Sequence, residues 1–556
     1  MQTLLKTYFG YDSFRPNQKE AMESVLNGKD TFVLMPTGGG KSLCYQLPAL
    51  KLKGLTLVVS PLIALMKDQV DSLKTNGISA EFINSSLSYQ EILAIQMRIH
   101  LGEIKILYVA PERFSQQSFL ELRNIFPKIP IIALTATATE KVRKDIINQL
   151  SLRDANTFIS SFNRENLIIK IMRTKDSFQK ILKLLQEHKD ESVIIYCFSR
   201  KETEKIAIDL NEHGYKAIFY HAGLEDNIRK KNQELFIKDK VNIIVATIAF
   251  GMGIDKPNVR LVIHHTFPKT LEGYYQEIGR AGRDGLKSEC VLFYSIADER
   301  KHNYFLDKLE NPDIKEKRKS KLNQVIKYAE SKKCRKKQIL DYFGEIFSKY
   351  KCNSCVICLA QKKKIEITNI AKDILSAISL TKGFFGANYI IKLLHGYKTT
   401  KDWHKKFYFF GKLQDISKED LKEIIHDLIS IKFIKKSSSQ FPTLSLTFKG
   451  INFLDNPYKI EMEKIIKPSI KKQKRLQKRE FDYDKELFEK LRKLRKEIAE
   501  KRGVPPFIVF GDETLREMAH FIPKTKEDLL KVKGVGEAKI VFFGNQFLEL
   551  LRNYSL

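Results

Sequence analysis

The sequence predicts an α/β protein with two consecutive parallel-sheet domains, followed by three smaller modules that are mostly helical. Eight short apolar runs, from TFVLMP at residue 31 to LVIHHTF at residue 261, alternate with helical stretches across residues 1–310. Each run ends in a polar or glycine-rich turn, which is typical of buried parallel strands connected by helices. The 556 residues are enough for several domains, each with its own core.

Motifs and shifts in composition set the predicted domain boundaries. The first α/β domain spans residues 1–160 and the second spans 161–310, because the SSFNRENL segment looks like a connector. Next come a basic helical segment ending in a cysteine cluster, a mixed module, a strongly basic linker and a compact helical unit: residues 311–360, 361–456, 457–480 and 481–556. One helix face of the last unit carries apolar residues at helical spacing, namely Leu487, Leu491, Leu494 and Ile498.

The segment MPTGGGKS predicts a phosphate-binding loop, because it follows the apolar strand TFVL and precedes a helical stretch. Glycines let backbone amides approach phosphate oxygens, Lys41 supplies charge to the β- and γ-phosphates, and the Ser42 hydroxyl suits Mg²⁺. A glycine-rich turn with an incidental lysine is the alternative, and the strand–loop–helix order argues against it. The predicted nucleotide contacts in this loop are Thr37, Gly38, Gly39, Gly40, Lys41 and Ser42.

The second α/β domain carries VIIYCFSRKETE, YHAGL, VATIAFGMGIDKPNVR and YYQEIGRAGRDG, in that order. Arg280 and Arg283 lie in the last, glycine-rich segment and could be aimed across a cleft to stabilise charge on a γ-phosphate. Thr247 and Asp255 lie on the turn after a buried strand, where α/β domains place ligand contacts. A surface salt bridge is the alternative for any single arginine, but the complete ordered set favours a nucleotide site.

Four of the seven cysteines are clustered in sequence: Cys334, then Cys352, Cys355 and Cys358 in CNSCVIC. Four thiolates with two-residue spacings can surround one Zn²⁺ tetrahedrally. An iron–sulfur cluster is the second interpretation of an all-sulfur ligand set. Clustering of this kind favours a metal site over disulfides.

The formal net charge of +31 and the sequence pI of about 9.5 favour a polyanionic partner, and nucleic acid is the first choice. Lysine-rich codon usage is an alternative explanation of the charge. The sequence has no apolar run long enough to span a bilayer, and its first residues lack the pattern of a signal peptide. These observations predict a soluble intracellular protein without a membrane partner.

The segment YFGYDSFRPNQ resembles the adenine-binding motif of RecQ helicases. By that resemblance, Tyr11 and Arg15 would sandwich the base and Gln18 would pair with its edge, since a ring and a guanidinium both stack on flat heterocycles. A local hydrophobic staple would explain Tyr11 and Phe14, but not Arg15 together with Gln18. The motifs of both α/β domains resemble superfamily 2 helicases and, in detail, the RecQ family over essentially the whole chain.

The resemblance implies two RecA-like domains, a zinc-binding subdomain, a winged helix and a helical HRDC domain. It implies an ATP-dependent helicase that moves 3′ to 5′ on DNA in recombination and repair, with ATP, Mg²⁺ and Zn²⁺ as ligands. Single-stranded DNA and forked or duplex DNA would be its partners, with single-strand-binding or other repair proteins in addition. It also implies a bacterial, cytoplasmic, nucleoid-associated monomer.

The C-terminal modules carry three weaker expectations. In the winged-helix region, SSSQFPT is a candidate hairpin tip that would reach a duplex fork. Trp403, the single tryptophan, is expected to pack within this region. In the last unit, the Gly-Val-Gly turn at residues 534–536 could bring backbone amides to a phosphate, or could equally serve close helix packing.

The chain departs from the family between Phe114 and Thr135. In the family this position holds the Walker B strand and an Asp-Glu-x-His box, and no such tetrapeptide occurs in the 556 residues. Loss of a buried strand would remove hydrogen-bonded neighbours from the first sheet. Glu112 is the nearest acid, but the family gives its position no metal role. Hydrolysis by this chain is therefore doubtful, and the alternative is a non-catalytic DNA-binding protein that still binds nucleotide.

Overall fold

A computed structural model describes residues 1–113, 124–173, 176–251, 255–347, 351–397, 400–437, 442–466 and 482–554. The chain divides into two compact units, one of residues 1–359 with 478–556 and the other of residues 360–477. We call the second of these the central unit. No helix in the described part of the chain is both long and apolar enough to cross a membrane.

The first α/β domain contains two separate parallel sheets instead of a continuous one. Its strands are β1 (Thr31–Leu34), β2 (Thr56–Val59), β3 (Ala80–Ile83), β4 (Ile106–Val109), β5 (Ile132–Thr135) and β6 (Asn156–Ile159), in the orders β5-β1-β6 and β2-β4-β3. Its helices are Gln2–Leu4, Gln18–Leu26, Leu43–Lys51, Ile63–Thr75, Tyr89–His100 and Glu140–Gln149, with a π-helical turn at Leu5–Phe9.

The break between these sheets leaves apolar side chains in solvent. Every residue of the central strand β1 is buried, whereas Leu57 and Val59 of β2 are 43% and 41% exposed. Leu55, just before β2, is 41% exposed. The described residues contain no strand that joins β5 to β2. Residues 114–123, between β4 and β5, lie outside the described residues.

The second α/β domain has one continuous, fully parallel sheet. Its strands are β7 (Leu167–Arg173), β8 (Ser192–Tyr196), β9 (Ala217–Tyr220), β10 (Ile243–Ala246), β11 (Val259–His264) and β12 (Ser288–Tyr294), in the order β7-β12-β11-β8-β10-β9. Its helices are Ser177–Glu187, Arg200–Glu212, Asp226–Ile237, Leu271–Ile278 and Ile296–Asp307. Strands β8, β10 and β11 are entirely buried, because helices cover both faces as parallel sheets require.

The cysteine segment contains the helices Pro312–Glu330, Arg335–Tyr342 and Val356–Leu359. The C-terminal helical unit, residues 482–554, contains Lys485–Arg502, Pro506–Val509, Asp512–Phe521, Lys526–Lys531, Glu537–Lys539 and Asn545–Asn553, with a π-helical turn at Ile540–Gly544. Leu487, Leu491 and Ile498 are buried in its core, as their spacing predicted.

The C-terminal helical unit contacts both α/β domains. Its Gly534 amide donates to the Gly10 carbonyl at 2.9 Å, and a Cβ added to Gly10 would lie 2.5 Å from the Val535 nitrogen. On the second domain, Arg492 donates to the Asp190 carbonyl at 2.9 Å. The Gly-Val-Gly turn therefore serves close packing against the first domain.

The central unit contains the helices Thr368–Leu380, Ala387–Leu394, Lys418–Ser430 and Phe448–Asp455, a 3₁₀ turn at Asp402–Lys406, and the strands β13 (Gln361–Glu366), β14 (Ile434–Lys436), β15 (Leu444–Leu446) and β16 (Glu461–Ile466). β14 and β15 form the wing hairpin, whose predicted tip in SSSQFPT falls largely outside the described residues. β16 pairs antiparallel with β13, so residues 461–466 belong to this unit instead of the predicted linker. Met462 of this strand is buried, although the segment as a whole is rich in lysine.

Candidate nucleotide and metal sites

The MPTGGGKS segment forms the loop between β1 and the following helix, as predicted. Gly38 and Gly40 have φ angles of +76° and +81°, where a residue with a Cβ would be strained. Lys41 Nζ donates hydrogen bonds to the carbonyls of Met35 and Pro36, at 3.0 and 3.1 Å. Phosphate oxygens can replace these loop carbonyls as acceptors, so the lysine is already positioned for a ligand.

The charge around Lys41 is predominantly positive. The pKa of Lys41 is lowered to about 8, first by burial and then by the nearby Arg283, and Asp255 opposes both effects. Arg283 donates to an Asp255 carboxylate oxygen at 2.6 Å, and burial also lowers the pKa of this arginine. Buried cations that outnumber their counterions favour an anionic ligand.

Arg164 connects the two α/β domains at this loop, although the sequence had indicated only a connector. Its guanidinium donates to the Thr37 carbonyl of the phosphate loop, and to the carbonyls of Ala281 and Gly282 at 2.9 and 2.8 Å. A Cβ added to Gly38 would lie 3.2 Å from Arg164 Nη1. The position of Arg164 directly before β7, at the start of the second domain, was the available indication of this role.

The structure brings one of the two predicted arginines to the phosphate loop. A Cβ added to Gly38 would lie 3.3 Å from Arg283 Cα, so this arginine lies directly against the loop. Arg280 instead donates to the Gly251 carbonyl within its own domain. Thr247 accepts a hydrogen bond from the Ala249 amide at 3.4 Å, which caps the turn after β10.

The predicted base-binding residues are tied to the phosphate loop. Gln18 Nε2 donates to the Gly40 carbonyl at 3.0 Å, and its Oε1 accepts from the Arg15 amide at 2.8 Å. The Arg15 guanidinium donates to the Gly38 carbonyl. Tyr11 is half-buried, and burial raises the pKa of its phenol. The structure therefore groups Arg15 and Gln18 with the loop that precedes the helix.

Two carboxylates near the cleft had no predicted metal role. Gln69 Nε2 donates to the second oxygen of Asp255 at 3.1 Å, so Asp255 is engaged by an amide as well as by Arg283. Asp68 precedes Gln69 in the helix Ile63–Thr75, and its Oδ2 is buried without a hydrogen-bond partner among the described residues. Glu112 lies exposed in the 3₁₀ turn after β4.

The four clustered cysteines meet at one point. The sulfur atoms of Cys334, Cys352, Cys355 and Cys358 all lie within 4.8 Å of one another. A tetrahedral Zn²⁺ with thiolates at about 2.3 Å needs sulfur separations of about 3.8 Å, so the set fits a single ion. The two-residue spacings bring the three later sulfurs together, and the fold supplies the fourth.

The cysteine segment contacts the backbone around Arg164 through hydrogen bonds and ring stacking. Lys336, two residues after the first cysteine, is buried and donates to the Arg164 carbonyl at 2.5 Å. The Phe162 amide donates to a Glu345 carboxylate oxygen at 2.7 Å, and the Phe162 ring stacks on Phe343 with centroids 4.4 Å apart. The metal site therefore supports the connector that touches the phosphate loop.

Five family models match the chain in the order of its motifs. Their descriptions are DEAD/DEAH box helicase at residues 15–134, helicase conserved C-terminal domain at 176–285, RecQ zinc-binding at 296–359, RQC domain at 361–471 and HRDC domain at 484–551. The zinc-binding match and the four convergent thiolates together support a Zn²⁺ ion at the cysteine cluster.

The chain is similar over its whole length to bacterial proteins named ATP-dependent DNA helicase RecQ. The protein of Haemophilus influenzae is 40% identical, in an alignment that covers 100% of this chain and 96% of that protein. The protein of Bacillus subtilis is 38% identical, with 100% and 98% covered. These alignments run over 594 and 593 positions, against 556 residues here, so both relatives contain residues without a counterpart in this chain.

Proposed function

The chain belongs to the RecQ family of ATP-dependent DNA helicases, and we propose that it binds ATP in the cleft around Lys41. The observation that carries this proposal is the closure of the second domain on the phosphate loop. Arg164 donates to the Thr37 carbonyl and Arg283 lies against Gly38. Arginines of one domain that touch the phosphate loop of the other can couple phosphate chemistry to domain movement.

Each predicted residue has a role in this proposal. Lys41 contacts the β- and γ-phosphates, and Arg283 stabilises charge on the γ-phosphate, with Arg280 joining it after a rotation of its side chain. Ser42 gives Mg²⁺ one protein oxygen, and phosphate oxygens and water complete its coordination. The base stacks between Tyr11 and Arg15, while the Gln18 amide pairs with its edge, and the remaining loop contacts are backbone amides.

Slow hydrolysis is part of the proposal. An attacking water needs a carboxylate to orient it and to hold the hydrated metal. Asp255, the carboxylate that acts on Lys41, is engaged by Arg283 and Gln69. The discontinuous first sheet favours a second candidate function, a DNA-binding protein that holds nucleotide without turning it over.

DNA is the proposed partner, both single-stranded and forked or duplex, with 3′ to 5′ movement in recombination and repair. The net charge of +31 and the winged region supply phosphate contacts that need no ATP hydrolysis. The bacterial relatives favour the cytoplasm, near the nucleoid, and we propose a monomer that meets single-strand-binding or other repair proteins on DNA.

The test compares nucleotide binding with turnover. A fluorescent ATP analogue should bind the chain and bind the Lys41→Ala variant far more weakly, while phosphate release with single-stranded DNA stays negligible in both. A family-type block containing Asp-Glu-Ala-His, inserted between positions 114 and 122, should restore release and unwinding. Robust release by the chain as it stands, abolished by Lys41→Ala, would reveal a substitute carboxylate, and Glu112→Gln would be the first variant to examine.

A further inference from the structure

The central unit exposes its tryptophan beside a lysine. Trp403 is 61% exposed, so the expectation that it packs inside this region is wrong. Lys401 Nζ lies 4.9 Å from the Trp403 ring centroid and 5.1 Å from that of the half-buried Phe385. We call Phe385, Lys401 and Trp403 the aromatic platform.

The backbone of the aromatic platform is held in place by a partly buried network of hydrogen bonds and ring contacts. Tyr389 Oη hydrogen-bonds to His404 Nδ1 at 2.8 Å and accepts from the Lys401 amide at 3.0 Å. The ring of Phe385 stacks on Tyr389 with centroids 4.1 Å apart. Side chains presented by an ordered backbone lose less entropy when a ligand binds, so exposed rings here are prepared for contact.

We propose that the aromatic platform stacks unpaired bases of single-stranded DNA, an inference that rests on the proposed DNA binding. A base can lie on the exposed Trp403 indole, while the Lys401 ammonium meets the adjacent phosphate. Lys382, Lys405 and Lys406 lie close to these rings in sequence, and Asp402, the acid beside Trp403, is paired with Lys405 at 2.6 Å. Protein–protein contacts are depleted in lysine at their cores, so this composition favours a nucleic acid.

The single tryptophan makes the aromatic platform directly observable in the full chain. Trp403 emission should be quenched when a short thymidine oligonucleotide binds, because the base stacks on the indole. An abasic oligonucleotide of equal length carries the same phosphates, and a blunt duplex keeps its bases paired, so neither should quench. Anisotropy of a labelled oligonucleotide measures binding independently of the tryptophan signal.

Variants of Trp403 test whether its aromatic ring contributes to binding. Trp403→Ala should weaken binding of the single strand about ten-fold in the anisotropy measurement, whereas Trp403→Phe keeps a stacking face and should retain most of the affinity. Phe448→Ala removes an aromatic side chain that is 79% exposed on another helix of the same unit, and should leave affinity and quenching unchanged.

Three results would overturn the inference. The first is tight binding by anisotropy without a change in emission, and the second is equal quenching by the abasic strand. The third is unchanged affinity of Trp403→Ala for the single strand. Absence of any binding by anisotropy would instead contradict the proposed DNA-binding function, and this inference with it.

Discussion

Asp68 makes the stability of the first α/β domain depend on pH. Burial is the main cause that raises the pKa of this carboxyl from 3.8 to about 7, with Asp255 and Asp71 adding repulsion. The folded state then holds a proton between about pH 4 and 7 that the unfolded state has released, so stability falls as pH rises through this window. Above about pH 7, the folded chain contains the buried Asp68 carboxylate, whose charge is incompletely compensated.

Asp68→Asn should therefore stabilise the chain at pH 8 by about 2 kcal/mol, a value reduced for partial solvent screening. At pH 4 the two chains should have equal stability, because the wild-type carboxyl is then mostly protonated. Denaturant unfolding at both pH values measures the difference. An advantage of the same size at pH 4 and pH 8 would assign the effect to packing instead of charge.

Local patterns predicted the loop that carries Lys41 and Ser42, because strand, glycine loop and helix are contiguous in sequence. The contacts that reach this loop from elsewhere in the chain could not be predicted in the same way. The role of Arg164 depends on carbonyls of the phosphate loop and of residues 281–282, which only the folded chain brings near it. The exposure of Trp403 could not be predicted either, because tryptophan side chains are usually buried and nothing in the local sequence indicated otherwise.

At the scale of elements, the Gly-Val-Gly turn and Gly10 join the C-terminal helical unit to the first domain. Gly10→Ala should detach this unit, because the new Cβ would meet the Val535 nitrogen at 2.5 Å. Limited proteolysis should then release a C-terminal fragment faster. Gly28→Ala is the matched control, since Gly28 has a similar φ of +74° and nothing within 4 Å of an added Cβ. Equal cleavage of both variants would attribute the effect to backbone strain.

The cysteine cluster should act on the nucleotide site through the connector. Cys355→Ser should remove one of the four thiolates, lower the zinc content to below one per chain and cost several kcal/mol of stability. Because Lys336 holds the Arg164 carbonyl, affinity for the ATP analogue should fall as well. Elemental analysis and analogue titration measure the two effects. Purified wild-type chain without stoichiometric zinc would contradict the prediction.

Elements were predicted best where periodicity is strong. In the second domain β8, β9, β10 and β11 appear at predicted apolar runs, because burial on both faces leaves a β-branched pattern. The strands β7 and β12 of the same sheet were not among the predicted runs. β16 escaped prediction because it is a short strand in a lysine-rich segment and is fixed by pairing with β13, nearly one hundred residues away in sequence. Pairing across such a separation cannot be inferred from local composition.

For the whole molecule, the charge of +31 should make DNA binding strongly salt-dependent. Each phosphate contact releases counterions, so affinity for a forked duplex should fall about 100-fold between about 50 and 200 mM salt. Binding should persist without ATP, because the basic surface does not need hydrolysis. Anisotropy with a labelled fork measures both expectations, and a salt-insensitive affinity would contradict the electrostatic account.

The division of the first domain into two three-stranded sheets should also change how the molecule unfolds. Hydrogen bonds between neighbouring strands make a sheet unfold cooperatively. No strand among the described residues connects β5 to β2, so the two sheets lack this coupling. The β2-β4-β3 half, with its exposed leucines, should therefore open as a separate foldon, and its amides should exchange with solvent before those of β1. The second domain, whose six strands form one ladder, should open as a single unit. This half of the first domain would then melt early while the remainder of the chain stays folded, which would expose open strand edges to other chains.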